Sequence, residues 1–143
     1  MLAGLFSHAV GPEVGLRTPT ALYATGYKDA AVTRAHRSYE TLSGLSQLRG
    51  LPIQSPDPLG QEAAFAEAVL SSGAEVVLIC YEHRGIPALV RGIPSVEGGA
   101  IPAVWPGDRF DVIWTFTLDR DGGRYRFGQV PQQLLGGDTD TVI

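Results

Sequence analysis

One cysteine, one lysine and no apolar run near the length of a membrane span set the first limits on this 143-residue chain. The lone Cys80 rules out an intrachain disulfide and allows a reducing compartment; its setting in an apolar run marks it as a small buried hydrophobe. Lys28 is the single lysine, the arginines are scattered, and the formal net charge is -4. Nucleic acids and anionic membranes are held mainly by clustered cations, so neither is an expected partner. No stretch approaches the roughly 20 apolar residues of a transmembrane helix. Met1 to Phe6 is apolar but lacks a basic leader and soon meets His8, a poor match to a secretion signal, so a cytoplasmic protein is expected. His8, His36 and His83 stand far apart with no ligand spacing, and neither a metal nor a cofactor is expected. There is no glycine-rich phosphate loop, serine nucleophile elbow, zinc knuckle, repeat or low-complexity tract.

What is present is an ordinary globular composition, 44% hydrophobic and 18% charged, with Gly 18 and Pro 10 implying many turns. The length fits one domain spanning 1–143. Its most informative stretch runs from Val76 to Tyr81, apolar without alternation, as in a strand covered on both faces of a parallel sheet. It stops at Glu82-His83-Arg84-Gly85, and helical spacing follows from Ile86 to Ile93 with Pro87 in the first turn. Open α/β sheets bind ligands beyond the carboxyl ends of their strands, which brings Glu82 and His83 forward as candidate acid/base residues.

Elsewhere, Ala21 to Ala24 reads as a short strand between Pro19 and Gly26, followed by a polar loop from Thr25 to Thr33. Tyr39, Leu42, Leu45 and Leu48 recur three apart and predict a helix from Ala35 to Leu48 with those four on one face, stopped by Gly50. A second helix is predicted over Gln61 to Leu70, with Phe65, Val69 and Leu70 as its apolar face. Pro94 to Gly107 reads as a loop, and Asp111 to Thr117 with Arg124 to Val130 as a hairpin. Gly136 to Ile143 reads as a frayed end.

The succession Tyr23-Ala24-Thr25, Arg37 with Thr41, Gly50-Leu51-Pro52-Ile53 and Val77-Leu78-Ile79-Cys80-Tyr81-Glu82-His83 resembles the histidine phosphatase (phosphoglycerate mutase-like) superfamily. Trp105-Pro106-Gly107-Asp108-Arg109-Phe110 and Gln129-Val130-Pro131-Gln132 resemble its bacterial Glu-His branch. The resemblance implies an α/β fold, a three-layer histidine-phosphatase-like sheet, mainly parallel, with a C-terminal β-hairpin. It also implies a phosphoryl site of two histidines and two arginines, in which Arg37 matches the second arginine and His83 the second histidine. Tyr23 and Thr25 join Arg37 as candidate ligand- or phosphate-binding residues. The Arg-His-Gly tripeptide of the family's nucleophile has no counterpart in these residues, and Leu2 to Phe6 resembles the end of the helix after the usual first strand. The expectation is therefore an N-terminally shortened relative, or a start codon lying upstream.

Without that nucleophile the double-displacement route closes, while a guanidinium such as Arg37 still pairs with anionic oxygens. The leading expectation is a protein that binds a small phosphorylated or anionic molecule and has lost ordinary phosphomonoesterase activity. Alternatives are a lyase, isomerase or cyclase using Glu82 and His83, a true phosphatase if the start is truncated, or an interaction module using the sheet edge or the Trp105 to Phe116 segment. Each candidate also has a plainer role: His83 as a strand-end polar residue, Arg37 as a solvated helix arginine among Arg34 and His36, and Glu82 as a salt-bridge partner of Arg84 or Arg37. Trp105, Trp114 and Phe116 read as packing residues. Loss of the first strand leaves Ala21 to Ala24 and Val76 to Tyr81 either closing up directly or exposing edges, and a homodimer is expected.

Overall fold

The computed structural model describes residues 16–26, 33–97, 100–119, 123–133 and 135–143. Leu2 to Phe6, His8 and the middle of the loop expected from Thr25 to Thr33 lie outside them. Strand β1 (Ala21–Ala24) is the centre of a three-stranded parallel sheet, between β2 (Ile53–Gln54) and β3 (Val77–Cys80). Tyr23 lies opposite Ile79 on one side and Gln54 on the other. The two strands expected to flank a gap thus close up directly, with Ala21 to Ala24 in continuous register with Val77 to Cys80.

Side chains alternate across a strand, so a central strand serves two cores at once. Leu22 and Ala24 point to a cluster holding Leu42 and Leu45 of α1 (Thr33–Arg49), while Ala21 and Tyr23 point to one holding Phe65 and Ala66 of α2 (Glu62–Leu70) and Leu89 of α3 (Ile86–Val90). In β3, Leu78 and Cys80 pack on the first cluster and Val77 and Ile79 on the second, the two-sided cover expected from its unbroken apolar run. Helices therefore lie on both faces of the sheet. Leu42 and Leu45 are fully buried, and each such side chain contributes about 1.5–3 kcal/mol. Phe65, also fully buried, meets the Tyr23 and Tyr81 rings edge-on at centroid distances of 5.9 and 5.0 Å.

The chain ends in a second sheet of order β4-β6-β5, built from β4 (Ser95–Glu97), β5 (Val112–Asp119) and β6 (Arg124–Pro131). The hairpin pairs Val112 with Pro131 through to Asp119 with Arg124. One face carries Trp114 and Phe116, each in ring contact with Phe127; on the other, the paired Ile113 and Val130 pack against the α1 cluster and join the sheets.

Several sequence expectations need correction. The buried stripe of α1 is Ser38, Leu42 and Leu45, with Tyr39 at 39% and Leu48 at 63% exposure. Three residues turn a helix by about 300°, so a strict three-residue repeat falls back about 60° per step and leaves the buried face at both ends. On α2 the buried pair is Phe65 and Ala66, and Leu70 is exposed. Helix α3 stops at Val90, and the expected loop after Pro94 contains β4, which runs parallel to β6. Thr25 and Gly26, read as the start of a polar loop, are buried. The end is not frayed: Gln129 exchanges two hydrogen bonds with the Ile143 backbone at 2.8 and 2.9 Å, and the Thr139 N–H donates to Asp111 at 3.0 Å. Among the described residues, no helix is long and apolar enough to cross a membrane.

Candidate functional site

The carboxyl ends of β1 and β3 meet at Thr25. Its N–H donates to the Cys80 carbonyl at 3.1 Å, carrying the parallel ladder one residue past the strands. Its fully buried hydroxyl donates to Ser38 Oγ at 3.4 Å and accepts from the Glu82 N–H at 2.8 Å. One side chain thus satisfies the turn after β3 and ties it to α1. Next to it, the Gly26 N–H donates to the Asp57 carbonyl at 2.9 Å, and a Cβ on Gly26 would come within 2.6 Å of that same oxygen.

Beyond this joint the chain turns sharply, with the Gly85 N–H donating to the Glu82 carbonyl. The Glu82 carboxylate, 11% exposed, receives Arg84 Nε at 2.9 Å and His83 Nδ1 at 3.2 Å on one oxygen, and the Arg84 backbone N–H at 3.1 Å on the other. Glu82 is therefore the salt-bridge partner of Arg84, one of the two partners expected from sequence, and lies against the His83 imidazole as well. The imidazole is 39% exposed, with Nε2 on the side away from the carboxylate. Gly107 closes over that end, since a Cβ there would stand 3.4 Å from Nε2.

His83 and Arg84 open onto a cleft of about 380 Å³. Pro87, Ala88 and Arg91, in and just after α3, line it together with Ala103, Val104 and Trp105 from the later loop. Trp105 is held by an indole N–H donated to the Arg109 carbonyl at 3.0 Å and by the Trp114 ring at 4.9 Å. Arg109 in turn reaches Asp111 at 2.8 Å and the Thr141 carbonyl at 2.6 Å, so the C-terminal residues brace the wall that carries Trp105.

The predicted site residues divide into those this geometry gathers and those it does not. Thr25, Glu82 and His83 form one connected unit. Arg37 precedes Ser38, which touches Thr25, and so belongs to the same end of the sheet; its exposed side chain makes no ion pair with a described residue and does not line the cleft. Tyr23 is 3% exposed and packs against Phe65 in the core. Tyr81 is also core, its hydroxyl donating to Glu62 at 3.3 Å; burial, reinforced by the Glu62 charge, pushes its phenol well above the ordinary range. Cys80 has its thiol beside Thr41 and Ser38, and burial pushes it up, away from thiolate chemistry.

Arg91 and Val104 are cleft residues that sequence reasoning missed, and Trp105, expected as a packing residue or part of an interaction segment, lines the cleft with them. Arg84, Pro87, Ala88 and Arg91 follow the i, i+3, i+4, i+7 spacing of one helical face, a signal that was there to read. Trp105 arrives from a distant loop and carries no local signal. Among the described residues, no group of three histidine, cysteine or acidic side chains could hold a metal ion. No protein-family model, curated protein or solved structure matches this chain.

Proposed function

We propose that this chain is a histidine-phosphatase-like protein that binds a small phosphorylated or anionic molecule at the His83 cleft without ordinary phosphomonoesterase activity. The observation that carries this reading is the convergence of His83, Arg84 and Arg91 on one cleft at the carboxyl end of a parallel sheet. Arg84 already shares its Nε with Glu82, whereas Arg91 makes no ion pair with a described residue; the two guanidiniums and the imidazole offer donors to anionic oxygens. Helices on both faces of the sheet and a Glu-His pair at the end of β3 support the family reading. His83 is the one histidine whose side chain is described, and the 143 residues contain no Arg-His-Gly tripeptide, so transfer through a phosphohistidine forms no part of the proposal.

Calorimetric titration of the full chain with phenyl phosphate tests the reading. Saturable binding that is weakened by His83→Ala is expected, together with no turnover of 4-nitrophenyl phosphate. Absence of binding by phenyl phosphate and by a carboxylate such as hexanoate alike overturns it, and robust hydrolysis abolished by His83→Ala restores a phosphatase. The Glu82–His83 contact at 3.2 Å supports a second reading, acid/base chemistry on a ligand without phosphate. Turnover of such a ligand, lost in Glu82→Gln, would establish it. A cytoplasmic homodimer completes the proposal, supported by exposed Leu48, Phe110 and Leu135; light scattering showing a monomer at micromolar concentration would remove the dimer.

A further inference from the structure

The cleft lining is of two unlike kinds. His83, Arg84 and Arg91 bring ring and guanidinium nitrogens to it, while Pro87, Ala88, Ala103, Val104 and Trp105 are mainly apolar. An inorganic ion would use only the first kind and leave the second wet. This open cleft of about 380 Å³ has room for a small organic ligand lying partly in solvent, and apolar linings with a few polar anchors characterise organic-ligand sites. Trp105 is fixed at both its nitrogen and its ring face, so the apolar wall is set before any ligand arrives and costs little ordering on binding.

We infer that the ligand is an amphiphilic organic anion, a carboxylate or phosphate carried on an apolar body, with the anionic group on Arg91 and Arg84 and the apolar body against Trp105 and Val104. This rests on the proposed anion-binding reading and adds to it the second half of the ligand. Arg91 becomes the specificity residue for charge and Val104 with Trp105 the specificity surface for the body. Both Arg91 and Val104 are exposed, so substituting them does not threaten the fold.

The test is calorimetric titration of the full chain, with tryptophan emission recorded in parallel, against phenyl phosphate, hexanoate, inorganic phosphate, acetate and benzyl alcohol. Phenyl phosphate, hexanoate or both are expected to bind at least about tenfold more tightly than the bare ion of the same charge type, and benzyl alcohol not measurably. The pair that responds separates phosphate from carboxylate ligands. Arg91→Ala is expected to weaken the anion about tenfold and Arg91→Lys to recover part of it; the neutral change Val104→Ser is expected to shrink the advantage of phenyl phosphate over inorganic phosphate. Equal affinity for inorganic and phenyl phosphate, with acetate equal to hexanoate, overturns this inference and leaves the anion-binding reading standing. No binding by any of the anions overturns both.

Discussion

The Thr25 hydroxyl accepts the Glu82 N–H at 2.8 Å, and this bond fixes the turn that aims His83 into the cleft. Both partners sit where parallel strands end, so a core residue of β1's extension controls a candidate site residue after β3. Thr25→Val keeps the volume but leaves the Glu82 N–H without its acceptor, and a buried donor without a partner costs about 1–3 kcal/mol. The expected result is a lower urea midpoint and weaker phenyl phosphate binding, with Thr25→Ser keeping more of both. Unchanged stability in Thr25→Val would mean that the hydroxyl contributes nothing to the turn.

Gly26 is required by close approach rather than by its dihedral angles. A Cβ would stand 2.6 Å from the Asp57 oxygen and 2.8 Å from its carbon, both backbone atoms that no rotamer change can move away. Gly26→Ala is expected to cost about 1–3 kcal/mol, a drop in Tm of about 2–4 °C per kcal/mol. Calorimetry showing Gly26→Ala within 1 °C of the parent, a limit of about 0.5 kcal/mol, would sink this.

At acid pH the weak point is the brace behind Trp105. The Arg109 guanidinium, with the Thr139 N–H, holds the Asp111 carboxyl below its ordinary range. A lowered folded value means stability that is whole above the ordinary aspartate value of about 4 and is lost as pH falls toward the folded value. Urea midpoints measured from pH 7 down to pH 2 are expected to fall less steeply in Asp111→Asn than in the parent. Parallel slopes would remove Asp111 from the account.

At alkaline pH the sign reverses. The Tyr81 phenol is raised by burial and by Glu62, so its stabilising contribution is whole below the ordinary tyrosine value of about 10 and declines as pH climbs from there. Tyr81→Phe loses the 3.3 Å bond to Glu62 and is expected to be less stable at pH 7, yet to lose less between pH 9 and pH 12. Equal losses in both proteins would show that Tyr81 does not govern that limb.

Much of the framework was legible in the residues. The unbroken run before Glu82, the short strand after Pro19 and the two aromatic, β-branched runs near the end became β3, β1 and the hairpin, because apolar pattern and turn residues agreed at each. β4 was hidden, being three residues long and paired with a strand about thirty residues away. Docking of the last residues was hidden for a related reason: their bonds run to Asp111, Arg109 and Gln129, and nothing in a polar tail announces such partners.

The candidate site shows the same division. Glu82 and His83 were visible because a charged pair following a buried strand has one natural place in a parallel sheet. Tyr23 was not assignable, since its direction depends on which of two faces each residue of β1 takes. Arg37 and Arg91 look alike as helix arginines, and the packing of α3 beside the Trp105 loop puts Arg91 on the cleft.

Sequence alone determined β1, β3, the hairpin, the presence of the three helices and the Glu82–His83 pair, because periodicity, turn chemistry and burial preference act over a few neighbouring residues. Tertiary structure decided the partners: β1 against β3, Thr25 under Glu82, Trp105 and Arg91 on one cleft, and the final residues on Asp111. Those contacts join segments far apart in the chain, and their energy depends on how whole surfaces fit, a property that no local pattern carries.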